Sequence, residues 1–130
     1  MVDLTKKIEW NSSTISDYLN KGKGILKDRI FQFPVPKGYE ILAEIALKAC
    51  RRVWESKGIE RHANNLPFDM QPIMTITRRH GHGFPRGQAL KKVDEAEKMN
   101  KEDGLIEILE AITYLMADAL ILEEEIKNGK

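Results

Sequence analysis

Residues 78–87 hold the densest group of side chains able to bind an anion. Three arginines lie within this segment, and two glycines flank His82 between them. Arginine forks match the geometry of phosphate oxygens, and glycine-rich backbone can turn its N–H groups toward an anion. A helix is expected to begin near Arg86, so its positive end would face the same region. The segment therefore predicts a phosphate-binding site.

Neighbouring residues extend this predicted site. An aromatic ring in the same segment is placed to stack on a base, and the polar loop around residue 62 is placed to help enclose a ligand. The predicted ligand-binding residues are Arg78, Arg79, His80, His82, Arg86, Arg61, His62 and Phe84. An alternative stays open, in which the segment is a surface turn whose arginines pair with the acidic C-terminal helix.

Carboxylates recur along the last predicted helix. On a helical wheel, an acidic stripe falls within about 80° and borders the apolar face. Carboxylate oxygens are ligands that Mg²⁺ prefers, and bound Mg²⁺ can grip a polyphosphate. The acidic stripe comprises Glu107, Glu110, Tyr114, Asp118 and Glu125, and the candidate metal ligands are Glu95, Glu107 and Glu110. The alternative is a solvated acidic face paired with Lys91, Lys92 or Lys98.

Two acidic segments, Lys91–Glu97 and Glu107–Leu115, resemble the helix pair of the all-α nucleotide pyrophosphatases. That group includes the MazG-type enzymes and phosphoribosyl-ATP pyrophosphatase. The resemblance covers about residues 88–122. It implies an all-α fold, Mg²⁺ bound by the acidic helices, and cleavage of nucleoside triphosphates to the monophosphate and pyrophosphate.

The matching positions are few and can be named individually. Asp94 and Glu95 match the first two acids of the family's Glu-Glu-x-x-Glu motif, and Lys98 stands where its third Glu belongs. Glu107 and Glu110 match the Glu-x-x-Asp motif, with Glu replacing the final Asp. The spacing between the two motifs is shorter than the family pattern.

Four helices are predicted to position these residues. Apolar residues at three- and four-residue steps predict a helix over about 38–56, with Gly58 as its stop. Residues 59–68 are expected to form a loop, and Asp69 is expected to cap a second helix with Pro72 in its first turn. The β-branched run 75–77 leaves a short strand open there. A third helix is expected to start after Pro85 and to reach Met99.

The C-terminal region predicts a helix hairpin. Asn100 and Asp103 resemble a helix cap, which would begin a final helix reaching about Asn128. The short connection predicts antiparallel packing of the last two helices. No heptad run long enough for a coiled coil is expected. The buried faces are predicted to be Ala89, Leu90, Val93 and Ala96 on the third helix, and Leu105, Leu109, Ile112, Leu115, Met116, Ala119 and Leu122 on the fourth.

Residues 1–37 predict an extended N-terminal arm with a short helix, followed by a helical core domain over 38–130. Pro34 and Pro36 enforce extended backbone. An apolar stretch ending in Phe31 and Phe33 is expected to form a short strand or an arm that swaps between copies. The fold class is therefore mainly α: a small helical domain with a C-terminal antiparallel helix hairpin and an extended N-terminal arm.

Composition limits the functional classes. The 130 residues are 42% hydrophobic and 32% charged, with a net charge of +1 and a single cysteine. These values indicate a globular chain without internal disulfides. The absence of a long apolar run or a leader pattern leads us to expect a cytoplasmic protein that does not engage membranes. Charge is asymmetric, at +6 over residues 51–92 and −7 over residues 93–130.

Two functional hypotheses follow. The first is a small protein that binds a phosphorylated ligand, with a nucleotide favoured, and that either sequesters it or hydrolyses it with Mg²⁺. The second is a non-enzymatic protein-interaction or oligomerisation module of phage or regulatory type. We expect a homo-oligomer in either case. The balanced net charge disfavours nucleic-acid binding, and magnesium is the single cofactor suggested.

Overall fold

A computed structural model describes residues 32–55 and 66–129. The chain divides into two compact units, Met1–Ala46 and Leu47–Lys130. Four α-helices lie in the described residues, and no strand is found among them. They are α1 (Glu40–Glu55), α2 (Pro72–His80), α3 (Gly83–Ala96) and α4 (Lys101–Lys127), and a single 3₁₀ turn, Phe68–Met70, precedes α2. The mainly α prediction is confirmed.

Several helix ends lie where local chemistry predicts them. Asn100 caps α4, because its side-chain oxygen accepts the Asp103 N–H at 2.9 Å. Pro72 is the first residue of α2, where its missing N–H costs nothing. Gly81 ends that helix at a φ of 93°, a conformation that side chains with a Cβ rarely adopt.

Other boundaries differ from the sequence analysis. Asp69 does not cap α2, because it lies inside the 3₁₀ turn and Gln71 occupies the cap position. Residues 75–77 are helical rather than a strand. The third helix begins at Gly83, two residues before Pro85, and ends at Ala96 instead of Met99. Proline is tolerated there because first-turn N–H groups have no partner within the helix.

Helices α3 and α4 form the predicted antiparallel hairpin, with only residues 97–100 between them. Gly104 lies close to the end of α3, because a Cβ built on it would be 3.1 Å from the Ala96 carbonyl oxygen. Helix α2 packs against both members of the hairpin. The small core of buried side chains comprises Met74, Ala117 and Ile121, with Phe68 and Ile73 packed on it.

The predicted buried faces are largely wrong. Ala89 and Leu109 are buried as expected, whereas Leu90 is 67% exposed and Leu115 is 51% exposed. The residues of α4 that are buried are Gly104, Leu109, Ala111, Ala117, Asp118 and Ile121. Side chains of α2 and α3 reach α4 mainly at its charged face, and the apolar face that the sequence assigned to the core is therefore largely uncovered.

The first unit is described only over residues 32–46. Residues 32–36 form no regular element, and the N-terminal half of α1 follows after Gly38, whose φ is 94°. The predicted short helix, the apolar stretch before Gln32, and most of the N-terminal arm lie outside the described residues. None of the described helices is both long and apolar enough to cross a membrane.

Candidate functional site

His82 is held between two carboxylates of α4. It precedes α3, and its ring Nδ1 lies 2.5 Å from Asp118 Oδ1. The ring Nε2 contacts the Glu125 carboxylate. A neutral imidazole donates from only one nitrogen, whereas both nitrogens here face acceptors, so the geometry requires the charged ring. The hydrogen bonds to Asp118 and then Glu125 accordingly raise the pKa of His82 above its usual value.

Two arginines bind the same side of α4. Arg86 donates from Nε to Asp118 Oδ2 at 2.9 Å. Arg78 donates to both oxygens of Glu124, at 3.0 and 2.6 Å, and to the Asp69 carbonyl oxygen at 2.6 Å. These residues form what we call the charge cluster. The charge cluster comprises Arg78, His82, Arg86, Asp118, Glu124 and Glu125.

Asp118 is the buried centre of the charge cluster, with a side chain only 11% exposed. Burial by itself would raise the pKa of Asp118. The hydrogen bonds from Arg86 and His82 together outweigh burial, so the pKa lies below its usual value and the group is a carboxylate. Asp118 therefore links the turn between α2 and α3 to the middle of α4.

A second group of charges lies nearer the hairpin turn. Lys92 donates to Glu110 at 2.6 Å and lies 3.5 Å from Glu107. Arg52 donates to the other oxygen of Glu110 at 3.0 Å. Burial opposes ionisation at both Lys92 and Glu110, but their mutual hydrogen bond and the other opposite charges nearby together outweigh it, so the pKa of Lys92 is raised and that of Glu110 is lowered.

The predicted magnesium ligands do not converge. Glu107 and Glu110 both contact the Lys92 ammonium group. Glu95 instead lies 3.8 Å from Lys91, which is one turn earlier in the same helix. Within residues 32–55 and 66–129, no group of three His, Cys, Asp or Glu side chains is arranged to hold a metal. The predicted metal site is therefore not supported, and the alternative of lysine-paired acids matches the contacts.

The cations of the predicted phosphate site contact carboxylate side chains of the same chain. Arg78, His82 and Arg86 come together, but each contacts carboxylates of α4, as the alternative reading of this segment expected. Arg79 and His80 are exposed in the last turn of α2. Basic residues there complement the negative end of a helix. Arg61 and His62 lie outside the described residues.

Backbone and aromatic groups near this turn have partners too. The Phe84 N–H donates to Gly81, the Arg86 N–H donates to His82, and Pro85 has no N–H, so at least three of the first four residues of α3 offer no anion donor. The Phe84 ring packs edge-on against Tyr114, with ring centres 6.0 Å apart and planes at 82°. It therefore contributes to hairpin packing.

A shallow depression lies at the closed end of the hairpin. Its volume is about 210 Å³, and its walls are Met99, Asp103, Ile106 and Glu107. This is the end opposite the charge cluster. The depression contains none of the arginines or histidines that the sequence analysis assigned to ligand binding.

A long apolar stripe of α4 faces solvent. An apolar stripe runs along the helix with alternating steps of three and four residues, which is the spacing of a coiled-coil seam. It extends over 21 residue steps, about 32 Å. The apolar stripe comprises Leu105, Ile108, Ile112, Leu115, Ala119, Leu122 and Ile126.

The apolar stripe is uncovered within the described part of the chain. Leu115 is 51% exposed and Ile126 is 75% exposed. Ile112 is partly buried, and the other six members of the stripe are exposed. The stripe is centred about 130° around the helix from the acidic stripe. The acidic stripe points toward the other helices instead of bordering the apolar side. The expectation that no heptad run is long enough for a coiled coil stays a prediction.

No known protein family, curated protein or solved structure is detectably similar to this chain. The likeness to the all-α nucleotide pyrophosphatases therefore stays a prediction based on two short motifs. The class of protein established by the fold is a small all-α protein with a C-terminal helix hairpin.

Proposed function

We propose that the chain is a non-enzymatic, self-associating helical module that pairs with a second copy through the apolar stripe of α4. The observation that carries this proposal is the uncovered heptad spacing over three heptads. An exposed apolar surface of this length is costly in water unless another surface covers it. A second copy offers the same spacing, length and lack of charge along the seam, so it is a self-complementary partner.

The energetic gain from pairing is substantial. Five large members of the apolar stripe together expose the equivalent of about two and a half complete Leu or Ile side chains. Burying one such side chain contributes about 2 kcal/mol, so pairing gains about 5 kcal/mol in each copy. The loss of translational and rotational freedom opposes this gain. We therefore expect a dimer whose population depends on protein concentration.

The charge cluster supports this role indirectly. Its carboxylates tie α4 to the turn before α3 and hold the acidic stripe inward. The opposite side of α4 is then presented as one continuous, rigid seam. Ion pairs of this kind fix geometry more than they add stability, which suits a scaffold for an interface.

The proposal can be tested with two leucines that differ only in position. Leu122 lies on the apolar stripe and Leu120 lies off it, and both are 40% exposed. They project about 160° apart around the helix. Leu122→Lys should weaken dimerisation at least about tenfold, because lost burial and a desolvated ammonium group act in both copies. Leu120→Lys should change it less than about twofold.

Molar mass is measured by light scattering during size-exclusion chromatography, across a wide range of protein concentration. Far-ultraviolet circular dichroism checks that each variant keeps its helices. A wild-type protein that stays monomeric at every concentration would refute the proposal. Equal weakening by both substitutions would show that association does not use the apolar stripe.

The phosphorylated-ligand hypothesis remains a second candidate. Its support is that Arg78, His82 and Arg86 lie together along one side of α4. A phosphate group would have to replace the carboxylates now bound to these cations. A nucleotide would then bind without chemistry or, if acidic side chains recruited Mg²⁺, undergo diphosphohydrolysis.

Thermal unfolding with nucleotides and with inorganic phosphate, each with and without Mg²⁺, tests this candidate. A bound ligand raises the melting temperature, and Arg86→Gln should abolish the rise. The exposed Lys91, which lies outside the charge cluster, provides the matched control Lys91→Gln. Pyrophosphate release that requires Mg²⁺ and disappears in Glu107→Gln would favour an enzyme. Absence of any ligand-induced shift would eliminate the candidate.

A further inference from the structure

We infer that the two α4 helices pair antiparallel, a conclusion that rests on the self-association proposed above. The critical residue is Ala119, the only small side chain in the apolar stripe. In a parallel, in-register pair, every stripe residue faces its own counterpart. Ala119 would then face Ala119, which leaves a gap between the Leu115 and Leu122 layers. Gaps of this kind forfeit packing contacts on both sides.

Antiparallel pairing removes the gap. The stripe residues are separated alternately by three and four positions. Two antiparallel alignments therefore place stripe residues of one copy opposite stripe residues of the other. One alignment places Ile108 opposite Ala119 and Leu105 opposite Leu122. The other places Leu115 opposite Ala119 and Ile108 opposite Ile126. In both alignments a large side chain fills the space above the alanine, so the seam is continuous.

Electrostatics favours the same direction. The C-terminal part of α4 carries Glu123, Glu124 and Glu125 in succession. The last carbonyl groups of a helix add partial negative charge at that end. A parallel pair would bring both acidic ends together, whereas an antiparallel pair separates them by about 30 Å in the first alignment and about 20 Å in the second. Repulsion between the acidic ends is weak in water, but it favours the antiparallel direction, as packing does.

Disulfide trapping distinguishes the two directions in a Cys50→Ser background. Single variants Leu105→Cys and Leu122→Cys should not crosslink alone, because like positions lie about 25 Å apart in the first alignment. That distance is far beyond the reach of a disulfide. Mixing these two variants should crosslink if the first alignment holds. Mixing Ile108→Cys with Ile126→Cys should crosslink if the second holds.

Each outcome separates this inference from the proposal on which it rests. Efficient crosslinking of the single variants would overturn the antiparallel direction and leave self-association intact. A dimer that crosslinks at none of the four positions would overturn the inference, because it uses another surface. A protein that is monomeric throughout, with slow thiol labelling at Leu122→Cys, would assign the apolar stripe to residues 1–31 of the same chain and overturn both.

Discussion

Raising the pH should destabilise this protein by discharging His82. Both ring nitrogens face carboxylates, and the pKa of His82 is raised by hydrogen bonds to Asp118 and Glu125. A group with a raised folded pKa contributes its full stabilisation below the unfolded value, about 6.5. That stabilisation is lost as the pH rises through the folded pKa. Stability should therefore be highest in mildly acidic solution and decline toward alkaline pH.

The size of the loss follows from the burial of the three side chains. His82 is 22% exposed, Asp118 is 11% exposed and Glu125 is 33% exposed. Pairs this sheltered are stronger than typical surface pairs, so about 1 kcal/mol for each is reasonable and the total is about 2 kcal/mol. For a chain of this size, about 4 °C accompanies each kcal/mol. The melting temperature should therefore fall by about 8 °C across the titration.

The assay is thermal unfolding at a series of pH values, with NMR titration of the histidine ring protons. His82→Gln should flatten the alkaline decline, whereas His80→Gln should not, because His80 is exposed on α2. The reasoning is refuted if the ring of His82 titrates at or below about 6.5. It is also refuted if His82→Gln and the wild type lose stability in parallel.

Three further predictions test the packing, the helix cap and the second charge group. Gly87→Ala should raise the free energy of unfolding by about 1 kcal/mol in urea unfolding, because no atom lies near the added Cβ. Gly104→Ala should not show this gain, because its Cβ would be 3.1 Å from the Ala96 carbonyl oxygen. Asn100→Ala should cost about 1 kcal/mol by removing the cap of α4, with Asn100→Ser near neutral. Glu110→Gln should cost about 1 kcal/mol, and it should reduce the loss of stability below about pH 4, because the pKa of Glu110 is lowered in the folded state. These expectations are contradicted if the two glycine changes have equal effects or if Asn100→Ala is neutral. They are also contradicted if Glu110→Gln loses as much stability at acidic pH as the wild type.

Helix boundaries were predictable because their causes are local. The Asn100 cap, Pro72 at a helix start and Gly81 at a helix end each depend on a few neighbouring residues. Asp69 was misassigned because a short 3₁₀ turn, stabilised by the Met70 N–H bonding to the Pro67 carbonyl, occupies the place of a cap. Such competition between two local structures is not visible in residue types alone.

The orientation of α4 could not be predicted by the same reasoning. A helical wheel identifies the apolar side, but it does not say whether that side covers the core of its own chain or an external surface. The decision depends on the register of the hairpin. That register sets Lys92 against Glu110 and Arg86 against Asp118, and so turns the acidic side inward. Three of the eight predicted ligand-binding residues, Arg78, His82 and Arg86, therefore lie together, whereas their ion-paired state was predicted only as an alternative.

The two faces of α4 together make a prediction about stability. Compared with apolar side chains of similar size, the inward ion pairs around Asp118 and Glu110 add little net stability, although breaking one of them is costly. The described core is small, and the apolar stripe leaves five large apolar side chains of α4 exposed. Covering it by a second copy must then stabilise the folded chain by mass action. The melting temperature should rise with protein concentration in the wild type and in Leu120→Lys, but not in Leu122→Lys. A melting temperature independent of concentration in all three proteins would mean that the chain covers the stripe itself or tolerates its exposure.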